Sequence, residues 1–304
     1  FLGQFVDHDI SFDAGSRLGV ATAPQSATNS RLPALDLDSL YGRGPVVDPQ
    51  LYEPGDRAKF RVESGGQFED LPRDVNGGAL IGDPRNDEHL VLAGLHAAML
   101  RFHNAVVDRV RAEAETETER VFAQARRSVT WHYHWIVLRE LLPSFIDPQQ
   151  VEEIRVRGRR YYRAGDDGEA AMPVEFQGAA YRFGHSLVRP SYRANLKGDR
   201  GRPFFGLIFD PRAEGQADPD DLRGGTRAAR RFVGWQTFFD FGDGEVKPRK
   251  TIDTRISTPL FRLPLGAIAG GLLVQHYAKA LGSANLLVFA AASLVPTGLF
   301  AAWA

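Results

Sequence analysis

The sequence predicts a mainly α-helical fold with little β structure, in a single large domain. Apolar residues recur at helical spacing through two long segments of residues 90–145, and a further apolar helical run covers residues 173–189 until Pro190 ends it. Of the 304 residues, 43% are apolar and 25% are charged. Such a balance is typical of a globular protein with a substantial core.

Charge and composition exclude several classes of function. The net charge is −1, and no basic stripe with interleaved aromatic residues occurs, so nucleic acid is not an expected partner. The absence of cysteine excludes disulfides, thiolate metal sites and cysteine nucleophiles. The sequence begins at Phe1 without the pattern of a signal peptide, and we expect a fragment or a processed product.

The first ten residues concentrate polar groups on a short predicted helix. Gln4 and His8 are four residues apart and therefore share a helix face, while Asp7 and Asp9 project to either side of it. Burying these polar and charged groups costs free energy unless a ligand or a hydrogen-bond partner compensates. From these residues alone, a polar pocket and a solvated helix end with capping carboxylates are about equally supported.

Residues 11–35 have the composition of a loop and lead to a segment in which aspartate and leucine alternate. Asp36 and Asp38 would lie on one side of an extended segment, where two carboxylates with nearby carbonyl groups suit Ca²⁺. The alternative is an Asx-type turn with solvated aspartates, and the segment alone favours that alternative.

Residues 43–83 are rich in proline, glycine and charge, which predicts surface excursions with short strands or turns. Pro84 then suits the first turn of a helix, and acidic residues up to Glu88 suit its positive end. Arg85 and Glu88 are three residues apart and share a face. By themselves they indicate a surface ion pair.

Two long helices are expected between residues 90 and 145. The first begins at Leu90, the charged segment Glu113–Arg120 connects it to the second, and Pro143 is expected to end the second. Four histidines in these helices are interpreted as packing or surface residues, and the pair two residues apart faces in different directions. They are His96, His103, His132 and His134.

The second half of the chain contains one candidate ligand, His185, on the helix predicted over residues 173–189. A histidine on an apolar helix is more often a core residue than a ligand. Residues 151–170 are expected to form an exposed connection, and residues 191–250 are loop-like. The uncharged segment 285–304 favours a buried or poorly formed helix over a membrane anchor.

Four motifs occur in one order: Gln-x-x-Asp-His-Asp, Leu-Asp-Leu-Asp-Ser-Leu-Tyr-Gly, Asp-Pro-Arg-Asn-Asp-Glu and Tyr-Arg-Phe-Gly-His-Ser. Together they resemble the animal-type haem peroxidases, the family of myeloperoxidase and lactoperoxidase, in its bacterial branch. The resemblance extends from Phe1 to about residue 270, and residues 271–304 diverge from the family pattern. It implies a single catalytic domain over 1–304, incomplete at its N-terminal side.

The resemblance implies a role for each distal residue. His8 would be the distal histidine that moves the peroxide proton, and Arg85 the arginine that stabilises developing charge. Gln4 would hold the distal water or a halide. Asp7 and Glu88 match the carboxylates that form ester bonds to the haem b methyl groups. The position that carries a sulfonium-forming methionine in myeloperoxidase is His89 here, so that third bond is not expected.

The resemblance also implies a calcium site and a proximal side. Asp9 would bind Ca²⁺ with Asp36, Asp38 and the carbonyl groups of Leu32 and Ala34. Leu32 occupies a position where the family usually has threonine, so one oxygen ligand is missing. His185 would bind the haem iron, Arg182 would lie near a propionate, and Asn285 would accept the second N–H of His185. The residues around Asn285 depart from the family pattern.

The implied activity is reduction of hydrogen peroxide and oxidation of a halide, thiocyanate or phenolic donor through ferryl intermediates. A fatty-acid dioxygenase is less favoured, because Arg182 stands where those enzymes have tyrosine. A catalytically impaired haem- and calcium-binding protein is a further alternative. The family resemblance favours an extracellular location, a membrane is not an expected partner, and the donor and the oligomeric state stay open.

Overall fold

Helices supply most of the regular structure in the computed structural model, which confirms the mainly α-helical prediction. The structure describes residues 1–13, 15, 29–64, 69–113, 115–159, 162, 171–173, 176–177, 180–226, 228–242 and 244. The α-helices among them are α1 (Leu2–Ile10), α2 (Asp38–Tyr41), α3 (Leu90–Ala112), α4 (Thr118–Ile136), α5 (Leu142–Phe145) and α6 (Pro148–Arg157).

Short antiparallel strand pairs and 3₁₀ helices supply most of the remaining regular structure among the described residues. The strands are β1 (Tyr52–Glu53), β2 (Asp56–Phe60), β3 (Glu63–Ser64), β4 (Glu69–Asp70), β5 (Ser191–Arg193) and β6 (Phe205–Leu207), paired as β1–β2, β3–β4 and β5–β6. The 3₁₀ helices are Pro49–Leu51, Pro84–Asp87, Ala180–Leu187, Pro211–Ala213 and Trp235–Thr237. The short strands predicted for residues 43–83 are therefore confirmed.

The chain divides into two compact units. The first contains Phe1–Phe5, Leu37–Val129 and the described part of Val188–Pro259, and the second contains the described parts of Val6–Asp36 and Thr130–Leu187. The division falls within the continuous helices α1 and α4. The prediction of one domain over residues 1–304 stays a prediction.

The first unit is organised around α3. Its inward face packs on β2 and on the start of α4, in a cluster of small and β-branched residues (Ala58, Val107, Val110, Val121 and Ala125). The Asn104 side chain accepts a hydrogen bond from the Phe60 N–H at 2.8 Å and donates to the Phe60 carbonyl at 3.0 Å. It thereby satisfies both backbone groups at the end of β2, as a neighbouring strand would.

A second cluster of the first unit packs β5 and β6 against the start of α3, through Leu90, Ala194, Phe204, Ile208 and Leu222. Arg231 stabilises the adjoining loop. It is 1% exposed, and its guanidinium donates to the carbonyl groups of Pro219, Asp221 and Arg223. Buried carbonyl groups need such donors wherever no strand partner is available.

In the second unit, Asn29 holds the C-terminal end of α1. Its side chain accepts from the Phe12 N–H at 2.7 Å and donates to the carbonyl groups of Ile10 and Arg31, each at 2.9 Å. The last carbonyl groups of a helix lack partners within the helix. One asparagine therefore ties the C-terminal end of α1 to the backbone at Arg31.

The end of α4 differs from the prediction that Pro143 stops the helix. The chain continues as a π-helix over Val137–Leu141 and then as α5, with Pro143 in its first turn. Proline is tolerated in a first helical turn because no intrahelical acceptor is needed there, and the wide π turn changes the carbonyl positions before it. The prediction that the helix ends at Pro143 was wrong, because α5 continues to Phe145.

The exposed connection predicted over residues 151–170 was also wrong in part. Residues 148–157 form α6, which begins at the N-cap Asp147 and Pro148 and ends at Gly158 with φ 78°. Asp147 accepts the Gln149 N–H, which is a standard way to start a helix. Only Ile154 of α6 is buried, so its amphipathic signal is weak.

Leu35 and Leu37 have left-handed backbone conformations, with φ values of 52° and 61°, and both side chains are fully buried. The extended geometry predicted around Asp36 is therefore wrong, and the chain turns into α2 directly at Asp38. Left-handed leucine is uncommon because its Cβ crowds the backbone. Burial of both side chains provides the compensation.

By length and composition, α3 could cross a membrane, but 56% of its most apolar window is buried inside the protein. A core helix passes the same test, and the packing of α3 described above is that of a core helix. The C-terminal segment 285–304, for which the sequence favours a buried or poorly formed helix over a membrane anchor, lies outside the described residues.

Candidate functional site

Helix α1 presents the polar residues that the sequence singled out. His8 is 4% exposed and Asp9 is fully buried, whereas Asp7 is half-buried. The Ser11 hydroxyl donates to the Asp7 carboxylate at 2.8 Å, which orients that side chain along the helix. A solvated helix end is therefore excluded for His8 and Asp9, because buried ionisable groups require partners or a task.

A 3₁₀ helix over Pro84–Asp87 carries the second group of candidate residues. Asp83 is its N-cap and accepts the Arg85 N–H at 3.0 Å. The same carboxylate, which is fully buried, binds the Arg85 guanidinium at 3.0 and 2.7 Å. A two-point contact of this kind fixes the guanidinium plane as well as its position.

Gln4, Glu88 and His89 are joined by hydrogen bonds. The Gln4 Nε2 atom donates to Glu88 Oε2 at 3.0 Å, and the Gln4 Oε1 atom lies 2.8 Å from His89 Nε2. Gln4 is more than eighty positions from Glu88 and His89 in the sequence. Two of the motifs identified in the sequence therefore meet in the first unit.

Asp87, within the same motif, is the anchor of the segment. Arg73 donates to its two carboxylate oxygens at 2.7 and 3.0 Å, and also to both oxygens of Asp70, each at 3.1 Å. Burial lowers the pKa of Arg73, but its hydrogen bonds to the two carboxylates outweigh burial and raise that pKa overall. No sequence pattern indicates Arg73, because its partners lie three and fourteen residues away along an irregular segment.

A loop around Gly224 is hydrogen-bonded to the backbone of the segment that contains Asp87 and Glu88. The Gly224 N–H donates to the Glu88 carbonyl at 2.8 Å, and the Leu90 N–H donates to the Leu222 carbonyl at 2.7 Å. A Cβ atom on Gly224 would lie 1.4 Å from the Asp87 carbonyl oxygen. Glycine is therefore required there for the loop to approach the Glu88 backbone.

In the second unit, the carboxylates of Asp9 and Asp36 come within 4.8 Å of each other. Asp38 follows two residues along the chain as the first residue of α2. Of the two expected carbonyl ligands, that of Leu32 accepts the Ala34 N–H at 2.8 Å, which leaves one of its two lone pairs for another contact. Two hard carboxylate donors this close suit a divalent cation such as Ca²⁺.

Tyr133 of α4 lies beside this carboxylate pair and is 2% exposed. Burial raises the pKa of Tyr133 well above its usual value, and the negative charge of Asp9 raises that pKa further. The tyrosine therefore stays protonated and can serve Asp9 only as a hydrogen-bond donor. No sequence motif singles out Tyr133.

The remaining histidines of α3 and α4 are structural, as predicted. His103 is fully buried between the Tyr41 hydroxyl at 3.0 Å and the Ala58 carbonyl at 2.8 Å. His96 Nδ1 lies 3.0 Å from the Asn86 side-chain amide. His134 Nε2 lies 2.8 Å from the Leu35 carbonyl, while His132 is exposed.

The predicted proximal residues are described only in part. The backbone of Arg182 and His185 belongs to the 3₁₀ helix Ala180–Leu187, where an α-helix over residues 173–189 was expected. Their side chains and Asn285 lie outside what the structure describes. Of the described side chains on this helix, Tyr181 packs its ring 5.2 Å from that of Phe176.

Comparison with known protein families identifies the family of this chain. The family model described as animal haem peroxidase matches residues 14–204, which is more than half of the chain. The chain belongs to the animal haem peroxidase family. The matched range includes Asp36, Arg85, Glu88 and His185. It begins after the end of α1.

Individual relatives in the animal haem peroxidase family match parts of the chain. A human protein named probable oxidoreductase PXDNL is 32% identical over 149 residues, covering 46% of this chain and 10% of its own. Human thyroid peroxidase is 27% identical over 208 residues, covering 60% and 22%. Heme peroxidase 2 of Caenorhabditis elegans is 29% identical over 112 residues, covering 36% and 16%. The chain thus spans less than a quarter of each of these relatives.

Among solved structures, peroxidase A from Dictyostelium discoideum is similar, with a TM-score of 0.49 and 17% sequence identity. That similarity covers 78% of this chain and 57% of the other.

Proposed function

We propose that the chain carries the catalytic centre of a haem peroxidase that reduces hydrogen peroxide and oxidises a halide, thiocyanate or phenolic donor. The observation that carries this proposal is the 3.0 Å hydrogen bond between Gln4 and Glu88. These two residues were selected for one site from separate motifs, and their contact within one unit supports a common role.

The described donor set fits haem. His8 offers a buried imidazole for proton transfer, and Glu88 is an exposed carboxylate available for attachment. Asp7, which is half-buried and oriented by Ser11, is the second candidate carboxylate. We propose that Glu88 and Asp7 tether haem b as esters, that His185 binds its iron, that Arg182 lies near a propionate and that Asn285 supports His185.

Haem supplies the redox-active iron for the two-electron reduction of hydrogen peroxide. His8 takes a proton from one peroxide oxygen and returns it to the departing oxygen, because a ring nitrogen of a neutral imidazole can accept a proton and then donate it. Arg85, whose orientation is fixed by Asp83, stabilises the negative charge that develops as the O–O bond breaks. Gln4 holds a water molecule or a halide by its side-chain amide.

We further propose that Asp9, Asp36 and Asp38, with carbonyl groups of Leu32 and Ala34, bind Ca²⁺. The proximity of the Asp9 and Asp36 carboxylates supports this site, as do the left-handed leucines at 35 and 37. Uncommon backbone conformations are often retained at ligand sites. The single catalytic domain and the extracellular location stay predictions of the sequence.

A reconstitution experiment tests the activity. The chain is loaded with haem, and the rate of reaction with hydrogen peroxide is followed by its absorption spectrum for the wild type, His8→Ala and His132→Ala. We expect His8→Ala to slow the reaction by about 10²–10⁴-fold while haem stays bound, and the exposed His132 to be neutral. An unchanged rate in His8→Ala removes His8 from the mechanism, and a failure to bind haem rejects the proposal.

The covalent attachment is tested separately by extraction into acidified organic solvent after incubation with hydrogen peroxide. We expect haem to stay with the protein, and peptide mass spectrometry to find it on Asp7 and Glu88. Complete release of intact haem shows that neither carboxylate is linked.

A further inference from the structure

We propose that His89 is a positioning residue that fixes the Gln4 side chain, and through it the Glu88 carboxylate; the consequence for haem rests on the function proposed above. His89 is 2% exposed at the start of α3. Its two ring nitrogens contact two different parts of the site, and neither contact was visible in the sequence.

The first contact determines where the ring carries its proton. His89 Nδ1 lies 3.2 Å from the Leu92 N–H, and that backbone group can only donate. Nδ1 is therefore the acceptor, and His89 serves as the N-cap of α3. The proton of the neutral ring is consequently on Nε2.

The second contact transmits this assignment to Gln4. Because Nε2 is the donor, Gln4 Oε1 accepts at 2.8 Å, and the Gln4 Nε2 protons point to the other side. There Gln4 donates to Glu88 Oε2 at 3.0 Å. A carboxylate only accepts, so the chain of bonds from Leu92 through His89 and Gln4 to Glu88 has one consistent direction.

The ring itself is held in place by its neighbours. The Phe1 ring centroid lies 4.9 Å from that of His89 and 4.8 Å from that of Tyr192. A backbone bridge joins His89 to Arg223. Because the His89 ring is already held, its hydrogen bond to Gln4 restricts only the Gln4 side chain. The loss of rotamer entropy is therefore smaller than for two flexible partners.

Two substitutions separate the capping role from the positioning role. In His89→Asn the side-chain oxygen is near the position of Nδ1 and can still cap α3, but it is too short to reach Gln4. In His89→Gln the amide reaches the position of Nε2 and can still donate to Gln4, but it caps poorly. His132→Asn, on the exposed face of α4, is the matched control.

The first measurement uses the ligand-free chain, with ¹⁵N-labelled histidine and glutamine observed by NMR. We expect the Nε2-protonated tautomer for His89 and slow exchange of the Gln4 side-chain amide protons. We expect His89→Asn to speed that exchange by about fivefold or more, as loss of one hydrogen bond implies, while His89→Gln stays near the wild type. An Nδ1-protonated ring, or unchanged exchange in His89→Asn, overturns the proposal.

The second measurement is the fraction of Glu88 carrying haem after reconstitution and peroxide treatment, with the Asp7 fraction as internal reference. We expect His89→Asn to lower the Glu88 fraction severalfold, His89→Gln to restore most of it, and the Asp7 fraction to stay constant. Equal loss at both carboxylates overturns positioning by His89. Absence of haem from the wild type rejects the proposed function alone, because the NMR result is independent of haem.

Discussion

Arg73 binds both carboxylate oxygens of Asp87, at 2.7 and 3.0 Å, across fourteen positions of the chain. Asp87 lies between Arg85 and Glu88, and neither of these residues contributes to the bond. The residue between two candidate site residues is thus what fixes their segment. We expect the geometry of the site to depend on an arginine that has no proposed role in the chemistry.

Replacement of Arg73 by Met should destabilise the protein by about 3–5 kcal/mol, because two carboxylates lose a buried partner. The Arg73 side chain is 5% exposed. Arg109→Met is the control, since its ion pair with Glu113 is 80% and 59% exposed and should contribute about 0–1 kcal/mol. Denaturant unfolding measures both. Equal effects of the two substitutions would show that burial of the Arg73 network does not matter.

Gly224→Ala should destabilise the protein by about 1–3 kcal/mol and displace the Gly224 loop from the Glu88 backbone. The new Cβ atom would lie 1.4 Å from the Asp87 carbonyl, so the loop must move away from a segment that cannot yield. Gly55→Ala is the matched control, because nothing lies within 4 Å of its Cβ position. Thermal unfolding compares the two variants, and a Gly224→Ala midpoint as high as that of Gly55→Ala contradicts the close approach.

His103 should make stability depend on pH below neutrality. Burial lowers the pKa of His103 to about 4 from its ordinary 6.5. Between these values the unfolded chain binds the proton and the folded one does not, so stability falls as the pH falls through this window. The full effect is about 3 kcal/mol.

The measurement is the free energy of unfolding at several pH values between 7 and 4.5 for the wild type and His103→Gln. We expect the variant to be less stable at pH 7, because it alters the contacts with Tyr41 and Ala58, and to lose stability less steeply with acid. His132→Gln serves as the exposed control. Parallel pH curves for His103→Gln and the wild type would assign the acid sensitivity to other groups.

Removal of Ca²⁺ should lower the midpoint of thermal unfolding, because an ion that binds only the folded state stabilises it by mass action. We expect a chelator to lower the midpoint of the wild type and to have little effect on Asp36→Asn. Asp218→Asn is the control, since Asp218 is 45% exposed and pairs with Arg230. A chelator effect of full size in Asp36→Asn would exclude this aspartate as a ligand.

Residue periodicity predicted the long helices well. The helices around residues 90–112 and 118–136 carry apolar residues at helical spacing, and the charged connection between them lies where it was expected. Pro143 misled the prediction, because the effect of a proline depends on whether the preceding turn is α or π. The pattern around α6 was too weak, with Ile154 as its one buried residue.

The motifs selected Gln4, His8, Arg85 and Glu88 as site residues, but they did not indicate which other residues fix these side chains in place. Asp83 could have been found, because an aspartate before Pro84 is a typical N-cap signal. Arg73 and His89 could not be found in this way, since their contacts depend on tertiary approach over 14 and 85 positions. Sequence spacing within one helix carries no information about such distances.

The left-handed leucines at positions 35 and 37 restrict which sequences can occupy this turn. Glycine and asparagine suit the backbone but would leave an apolar space unfilled, whereas valine and isoleucine would fill that space but resist the backbone angles. An apolar side chain that is not branched at Cβ both fills the apolar space and tolerates the backbone angles. Natural variation at positions 35 and 37 is therefore expected to be narrow for reasons of packing alone, whether or not a cation binds beside them.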